Sequence, residues 1–552
     1  MKQNFFFKLV RNSKLRIAAL SLLGVGASAC GVYLAWTSKS VVDIATGQAD
    51  GNLLNTGLIL AGIILVQLAL QVCLTVLHVN TSAKMKFGLQ SDLFNRFLNK
   101  QKLSADRFHS GELVHRLSGD TQIVADGVVE IFPSLMSVSA RIILSFAALV
   151  MLDGVLAALC VAAGIIMLAA AKVYRSKTGD IFKKSRESEG RIRSFIQESV
   201  MNLAVIKAFS VQNIICRQLK GAQKTSYDYI IKKNRLSIGA NVCFYVAVTA
   251  GYYAVLGWGA WRIFNGSITF GTLTAVLSLT SDVTTPFQQI ASLFPQYMSV
   301  CASAERLEEL DELPDDLLPE AKDPKPMYER LDRIELRDIS FSYGGAEILK
   351  GADAEFRKGK LTAITGESGA GKSTLLNIMT GVLSPGGGSA ALIAEDGVCH
   401  DISVYRKMFA YVPQDFLLLS GNVIQNITLF DETPDMQRLD YAVRAAELSE
   451  VIEELPNGLE TYLGEGGGRL SGGQRQRMAI ARAIYSGADV LLLDESTSAL
   501  SDKTEKKILE NLSESGKTIV FVTHRKTAVA LCDTAYRMEY GGLECYKRGG
   551  IS

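Results

Sequence analysis

Two things that would point this chain toward common soluble roles are missing. The nine cysteines are scattered singly with no short paired spacing, several of them inside apolar runs. That pattern fits small buried hydrophobes in a reducing or membrane setting better than a disulfide framework or a metal site. Charge of one sign is also lacking: 58 Lys and Arg against 56 Asp and Glu leave a formal net charge of +2. So small an excess gives no argument for a nucleic-acid partner, and charge must be read from its placement. The first apolar run follows Lys2, Lys8, Arg11, Lys14 and Arg16 as a signal peptide would, yet no small-residue cleavage site leading into soluble sequence follows. The run reads as a retained first helix.

What is present in quantity is apolar length. At 552 residues the chain exceeds one ordinary domain. Hydrophobic residues make up 48% of it and the mean hydropathy is +0.18, concentrated before about residue 310. A helix that crosses a bilayer needs roughly 20 mostly apolar residues. Six segments meet or approach that length, at about 16–37, 54–78, 131–152, 154–174, 238–263 and 269–298. Long segments rich in Lys and Arg separate the second from the third (about 79–130) and the fourth from the fifth (about 175–237). The other side carries only short connections, at about 38–53, 152–154 and 264–268. Positive charge marks the long loops and both termini as cytoplasmic. Their helical pattern, as in the segment from Arg186 to Phe195, predicts that the spans continue as helices beyond the bilayer.

The second half reads as a mixed α/β domain with a phosphate-binding loop. Gly366, Glu367, Ser368, Gly369, Ala370, Gly371, Lys372, Ser373 and Thr374 follow the strand-like Leu361–Thr365 and precede the helical Leu375–Met379. The glycines let backbone N–H groups turn toward a polyphosphate, and the helix presents its positive end to the anion. Lys372 reaches for the β- and γ-phosphates, and the Ser373 hydroxyl suits Mg²⁺. About a hundred residues later, Leu470-Ser-Gly-Gly-Gln474 opens a helix running to about Ala483. Val490–Leu493 then forms an apolar strand ending in Asp494 and Glu495.

On these motifs the whole chain resembles the ATP-binding-cassette exporters built as half-transporters. The resemblance implies a six-helix α-helical transmembrane domain followed by an α/β P-loop NTPase domain of ABC type. The boundaries fall at 1–310 for the membrane domain, 311–332 for an acidic, proline-bearing linker and 333–552 for the nucleotide-binding domain. Asp106–Asp120 and Glu198–Phe209 resemble the family's cytoplasmic loops, and Thr461–Glu465 the exporter-type segment that touches them. The resemblance also implies residue roles. Tyr343 stacks on adenine, Gln414 contacts Mg²⁺ and the attacking water, Asp494 holds the Mg²⁺ shell, Glu495 polarises the water, and His524 meets the γ-phosphate. Ser471, Gly472, Gly473 and Gln474 close on ATP bound by a second half-transporter. ATP and Mg²⁺ are the expected cofactors, a dimer in a lipid bilayer the expected assembly, and a bacterial inner membrane the expected location. One residue departs from the pattern: Ser501 stands where the family places Asp, with Asp502 one position later.

The cargo is not legible. Arg141 and Asp282 lie near the middle of the third and sixth spans, where charge is costly. Arg141 either meets an anionic or zwitterionic group on the cargo or pairs with Asp282. Gln67, Gln71, Gln288 and Gln289 suit a cavity that is not purely oily, or hydrogen bonds between helices. Export of a small amphipathic molecule, lipid, drug or peptide is the expected activity. The alternatives are an importer of the same build and an ATP-gated regulatory module.

Overall fold

The computed structural model describes residues 13–108, 110–155, 157–158, 180–181, 184–185, 187–316, 322–414, 417–497 and 499–548. The chain divides into two compact units, one of Met1–Leu98 with Phe108–Glu312 and one of Asn99–Arg107 with Leu313–Ser552.

The first unit is helical. Among the described residues three helices are long and apolar enough to cross a membrane: Lys14–Ala45, Leu53–Leu98 and Ser110–Leu152. The expected fifth and sixth spans fall inside the helices Gln212–Phe264 and Phe270–Asp311, the second of which carries an apolar stretch at Phe270–Val283. Most of the expected fourth span, Lys2, Lys8 and Arg11 of the basic N-terminus, Arg186, and residues 317–321 of the linker lie outside the described residues. Leu54, Leu58, Leu65, Leu68, Val72 and Val76 of the second helix are exposed on this unit. That many outward apolar side chains suit hydrocarbon as the surrounding medium. The helices run past their apolar windows as expected, the second of them as far as Leu98.

Small residues let these helices approach. A Cβ on Gly24 would meet Ser137 Cβ at 3.1 Å, and the Ser28 hydroxyl donates to Gly24 O (2.9 Å) and to Ser137 O (3.1 Å). Beyond the apolar stretch, ion pairs take over. Buried Asp120 accepts from Arg306 at 2.6 Å, and Arg116 reaches Glu112 and Glu309, each at 2.7 Å. In the first expected loop, Ser110–His115 leads through a wider turn at Arg116–Asp120 into the helix Thr121–Leu152.

The second unit holds two sheets. The first comprises β1 (Leu331–Tyr343), β2 (Ala346–Arg357), β4 (Gly387–Ala394) and β5 (Cys399–Asp401), antiparallel in the order β2-β1-β4-β5. The second contains β3 (Leu361–Gly366), β6 (Phe409–Val412), β7 (Val490–Asp494), β8 (Thr518–Val522), β9 (Thr534–Glu539) and β10 (Gly542–Arg548), in the order β10-β9-β3-β8-β7-β6. All pairs from β9 to β6 are parallel. Every residue of β7 and β8 is buried, which is why both strands are apolar runs rather than alternating ones.

Candidate functional site

The strand order explains how residues more than 150 positions apart converge. β3, β8, β7 and β6 are neighbours and run the same way, so their carboxyl ends open on one edge of the sheet. In open parallel sheets that edge is where ligands bind. β3 delivers the phosphate loop, β8 leads into His524, β7 ends at Asp494 and Glu495, and β6 leads to Gln414.

Glu495 is the meeting point. The Gln414 side-chain amide donates to Glu495 Oε2 at 3.0 Å, His524 Nε2 lies 3.1 Å from Oε1, and Lys372 Nζ stands 3.8 Å from that same oxygen. The backbone at Glu495 has φ +46°, a left-handed conformation that costs a non-glycine residue free energy and persists where its surroundings fix it. Gly366 begins the phosphate loop under a tighter limit still, because a Cβ there would meet Met538 O at 2.5 Å. The buried Lys372 folds back on its own loop, donating to Gly366 O (2.9 Å) and Glu367 O (2.8 Å). Ser373 and Thr374 lie in the first turn of the helix Lys372–Met379, whose N-cap is Gly371 with φ +105°. A cavity of about 860 Å³ borders Gly366–Ala370 and His524, and Arg537, stacked 5.3 Å from the Tyr546 ring centre, contributes to its wall.

Asp494 is only 2% exposed, and burial raises its pKa above the usual carboxylate value; the hydroxyls of Ser373 and Tyr411 bring it partway back. Tyr411 donates to Asp494 Oδ2 at 3.0 Å, and its own phenol is pushed upward by burial and by that carboxylate. A carboxylate and a hydroxyl side by side, with the acid desolvated, form a hard oxygen donor set that fits Mg²⁺. A carboxyl whose pKa rises on folding stabilises the folded chain below its unfolded pKa, and that contribution is lost as pH rises through the folded value. Ionised Asp494 is therefore a net cost near neutral pH. We expect Asp494→Asn, melted with chelator and without nucleotide, to unfold a few degrees higher than the parent at pH 8, with the gain shrinking toward the carboxylate range. A lower melting temperature at pH 8 would contradict this reading of the burial.

The other expected residues are not among those that bond Glu495. Tyr343 ends β1, 40% exposed and edge-on to Phe341 with ring centres 4.9 Å apart. Ser471 caps the helix Gly472–Tyr485: its hydroxyl accepts from Gln474 N at 3.3 Å while Gln474 Oε1 accepts from Ser471 N at 2.8 Å. None of Ser471, Gly472, Gly473 and Gln474 lines the cavity beside the phosphate loop. Buried Gln476, two residues on, accepts from Ala499 N at 2.9 Å.

Ser501 has a structural task of its own. It caps the helix Asp502–Glu514, its hydroxyl accepting from Thr504 N at 3.1 Å. Arg525, next to His524, pairs with Asp502 and buried Glu505, each at 3.0 Å, and donates to Leu500 O at 2.9 Å. This tether between the loops after β7 and β8 has no signal in the sequence, since charge alternation along a helix gives no sign of a partner 20 residues away. Asn377 was also missed: its amide donates to Ser373 O at 2.7 Å, steadying the turn that carries Ser373. Ser498, in the loop before Ser501, lies outside the described residues.

The comparisons with known proteins agree with this build. Residues 17–287 match the family model described as ABC transporter transmembrane region, and residues 349–498 match that described as ABC transporter. An ATP-dependent lipid A-core flippase of Desulfotalea psychrophila is 30% identical over 447 residues, covering 78% of this chain and 76% of the flippase. ABC transporter B family member 1 of Dictyostelium discoideum is 28% identical over 514 residues, 91% of this chain but only 55% of that protein's length. A solved bacterial Atm1-family ABC exporter with ATP bound superposes with a TM-score of 0.78 at 21% identity, covering 97% of this chain and 94% of the other, and so shares its fold.

Proposed function

This chain belongs to the ABC transporter family, with transmembrane region and ATP-binding cassette in one polypeptide, and from that premise we propose that it is an ATPase-driven exporter working by alternating access. The observation that carries the reading is the convergence on Glu495 of Lys372, Gln414 and His524 from adjacent strand ends. That arrangement can hold a triphosphate and a water in line with each other. Glu495 accepts the proton of the attacking water, Gln414 orients it, His524 and Lys372 meet charge on the γ-phosphate, and Tyr343 supports adenine. Ser373, Asp494 and Gln414 would hold Mg²⁺, which would neutralise charge at the phosphates.

In this reading six spans form the membrane domain, the cassette and both termini face the cytoplasm, and two such chains, alike or different, sandwich ATP between the phosphate loop of one and Ser471–Gln474 of the other. One observation supports the second copy: Ser471–Gln474 make a helix N-terminus suited to an anion, with Ser471 and Gln474 bonded to each other. The similarity to a flippase and to an exporter fold supports outward movement of an amphipathic molecule, and bacterial relatives support an inner-membrane location. The test is ATP turnover by this chain alone in lipid vesicles. Steady hydrolysis is expected if two identical chains suffice. None from a folded, nucleotide-binding protein would exclude the homodimer and require a different partner chain.

A further inference from the structure

A second cavity, of about 450 Å³, lies within the membrane unit between the helices Lys14–Ala45, Leu53–Leu98, Thr121–Leu152 and Phe270–Asp311. Its size falls in the range that drug-sized ligands fill. One wall is a stripe of a single helix: Glu130, Ser134, Ser137 and Arg141, spaced by four, three and four residues, share a face. The stripe thus runs from a carboxylate to a guanidinium about 16 Å apart along the axis. Leu20, Leu74, Val138 and Leu293 make the wall apolar between them.

The two charges are in different situations. Glu130 is already engaged, accepting from the Gln296 amide at 3.1 Å. Arg141 makes no hydrogen bond or ion pair among the described residues. Asp282, on the helix Phe270–Asp311, is near enough to feel its charge, but no nitrogen–oxygen pair between them comes within 4 Å. The expected Arg141–Asp282 pair is therefore not what holds these helices together. Those two helices meet instead where Gly127 lies against Val300 and where Ser303 and Arg306 bond Asp120 at the start of the other helix. A guanidinium kept at bilayer depth with no direct ion pair, its carboxylate beyond 4 Å, leaves its N–H groups free for a ligand, and such residues mark ligand paths.

Resting on the exporter reading, we propose that this cavity is the cargo site and that it selects an amphiphile with one acidic group, whose anion takes the Arg141 guanidinium and whose aliphatic part lies along Leu74, Val138 and Leu293. Arg suits this because its planar fork grips phosphate or carboxylate through two parallel hydrogen bonds. Glu130, three turns along the same face, disfavours a second acid there and accommodates a neutral or cationic end. The acid-bearing amphiphile is either a lipid reaching in from the bilayer or a water-borne molecule.

The test uses the full chain in nanodiscs and calorimetric titration without ATP, with octyl phosphate and octyltrimethylammonium as probes. Octyl phosphate is expected to bind at least tenfold tighter than the cation. Arg141→Gln should lose that preference, and Arg141→Lys should recover part of it, as a charge without the fork. A lipid source predicts that phosphatidic acid in the disc weakens octyl phosphate binding relative to a phosphatidylcholine disc; a water-borne source predicts equal binding in both, and either result supports the site. Equal affinity for the two probes, or an unchanged preference in a folded Arg141→Gln protein, overturns it. Because the titration needs no hydrolysis, anion binding that persists in a chain without turnover would leave the site standing even where the turnover test fails.

Discussion

Glu495→Gln is expected to bind ATP at least as tightly as the parent chain and to hydrolyse it about 10²–10⁴ times more slowly. The substitution keeps the shape of the side chain. Its carbonyl oxygen can still accept from Gln414 or His524, which hold the carboxylate at 3.0 and 3.1 Å. What disappears is the base. The left-handed backbone at this residue, φ +46°, aims the side chain off the strand end and is untouched by the exchange, so the loss cannot be assigned to a collapsed loop. Removing one negative charge beside a triphosphate favours binding, because Asp494 already places a desolvated acid next to it. Single-turnover hydrolysis and equilibrium nucleotide binding on the same preparation separate the two effects. A glutamine variant turning over at more than a tenth of the parent rate would remove Glu495 from the role of general base.

The nucleotide site was legible in the sequence to the extent that its chemistry is local. A glycine-rich loop between strand and helix needs nine consecutive residues, and the acidic pair needs only to end an apolar strand. Motif spacing cannot say which strands are neighbours. The order β3-β8-β7-β6 is a property of the sheet, and it alone puts Lys372, Gln414 and His524 on the Glu495 carboxylate. For the same reason the Tyr411 hydroxyl on Asp494 and the Arg525 tether to Asp502 and Glu505 could not be read from the chain: each joins residues from separate strands or loops. Ser501 is instructive in another way. It departs from the family pattern, and locally it is a sound helix cap, because Ser and Asp both accept from the first turn. In the membrane unit, hydropathy windows marked where helices are apolar and said nothing of register. Whether Arg141 and Asp282 face each other depends on helix rotation and offset, which apolar content leaves open.

Lys372→Ala is expected to weaken ATP binding by about 30-fold to several thousandfold, the range for removing one partner of a buried, hydrogen-bonded charge pair at about 2–5 kcal/mol. Lys372 is the cation nearest Glu495, at 3.8 Å, and its side chain is only 5% exposed. Without it, a triphosphate would face Asp494 and Glu495 with only backbone N–H groups and the helix end to offset them. Lys372→Arg is expected to fail almost as badly. The ammonium donates to Gly366 O and Glu367 O from a narrow slot under the loop, and a planar guanidinium cannot make both bonds without pushing the loop aside. Loss of binding and loss of folding are distinguished by thermal melting. A ligand raises the melting point according to its concentration over its dissociation constant, so ATP should raise that of the parent and leave that of Lys372→Ala unmoved, while the two chains melt within a few degrees of each other without nucleotide. If ATP stabilised the alanine chain as much as the parent, the phosphates would have to be held chiefly by the backbone of the loop, and the charge of Lys372 would belong to catalysis rather than to binding.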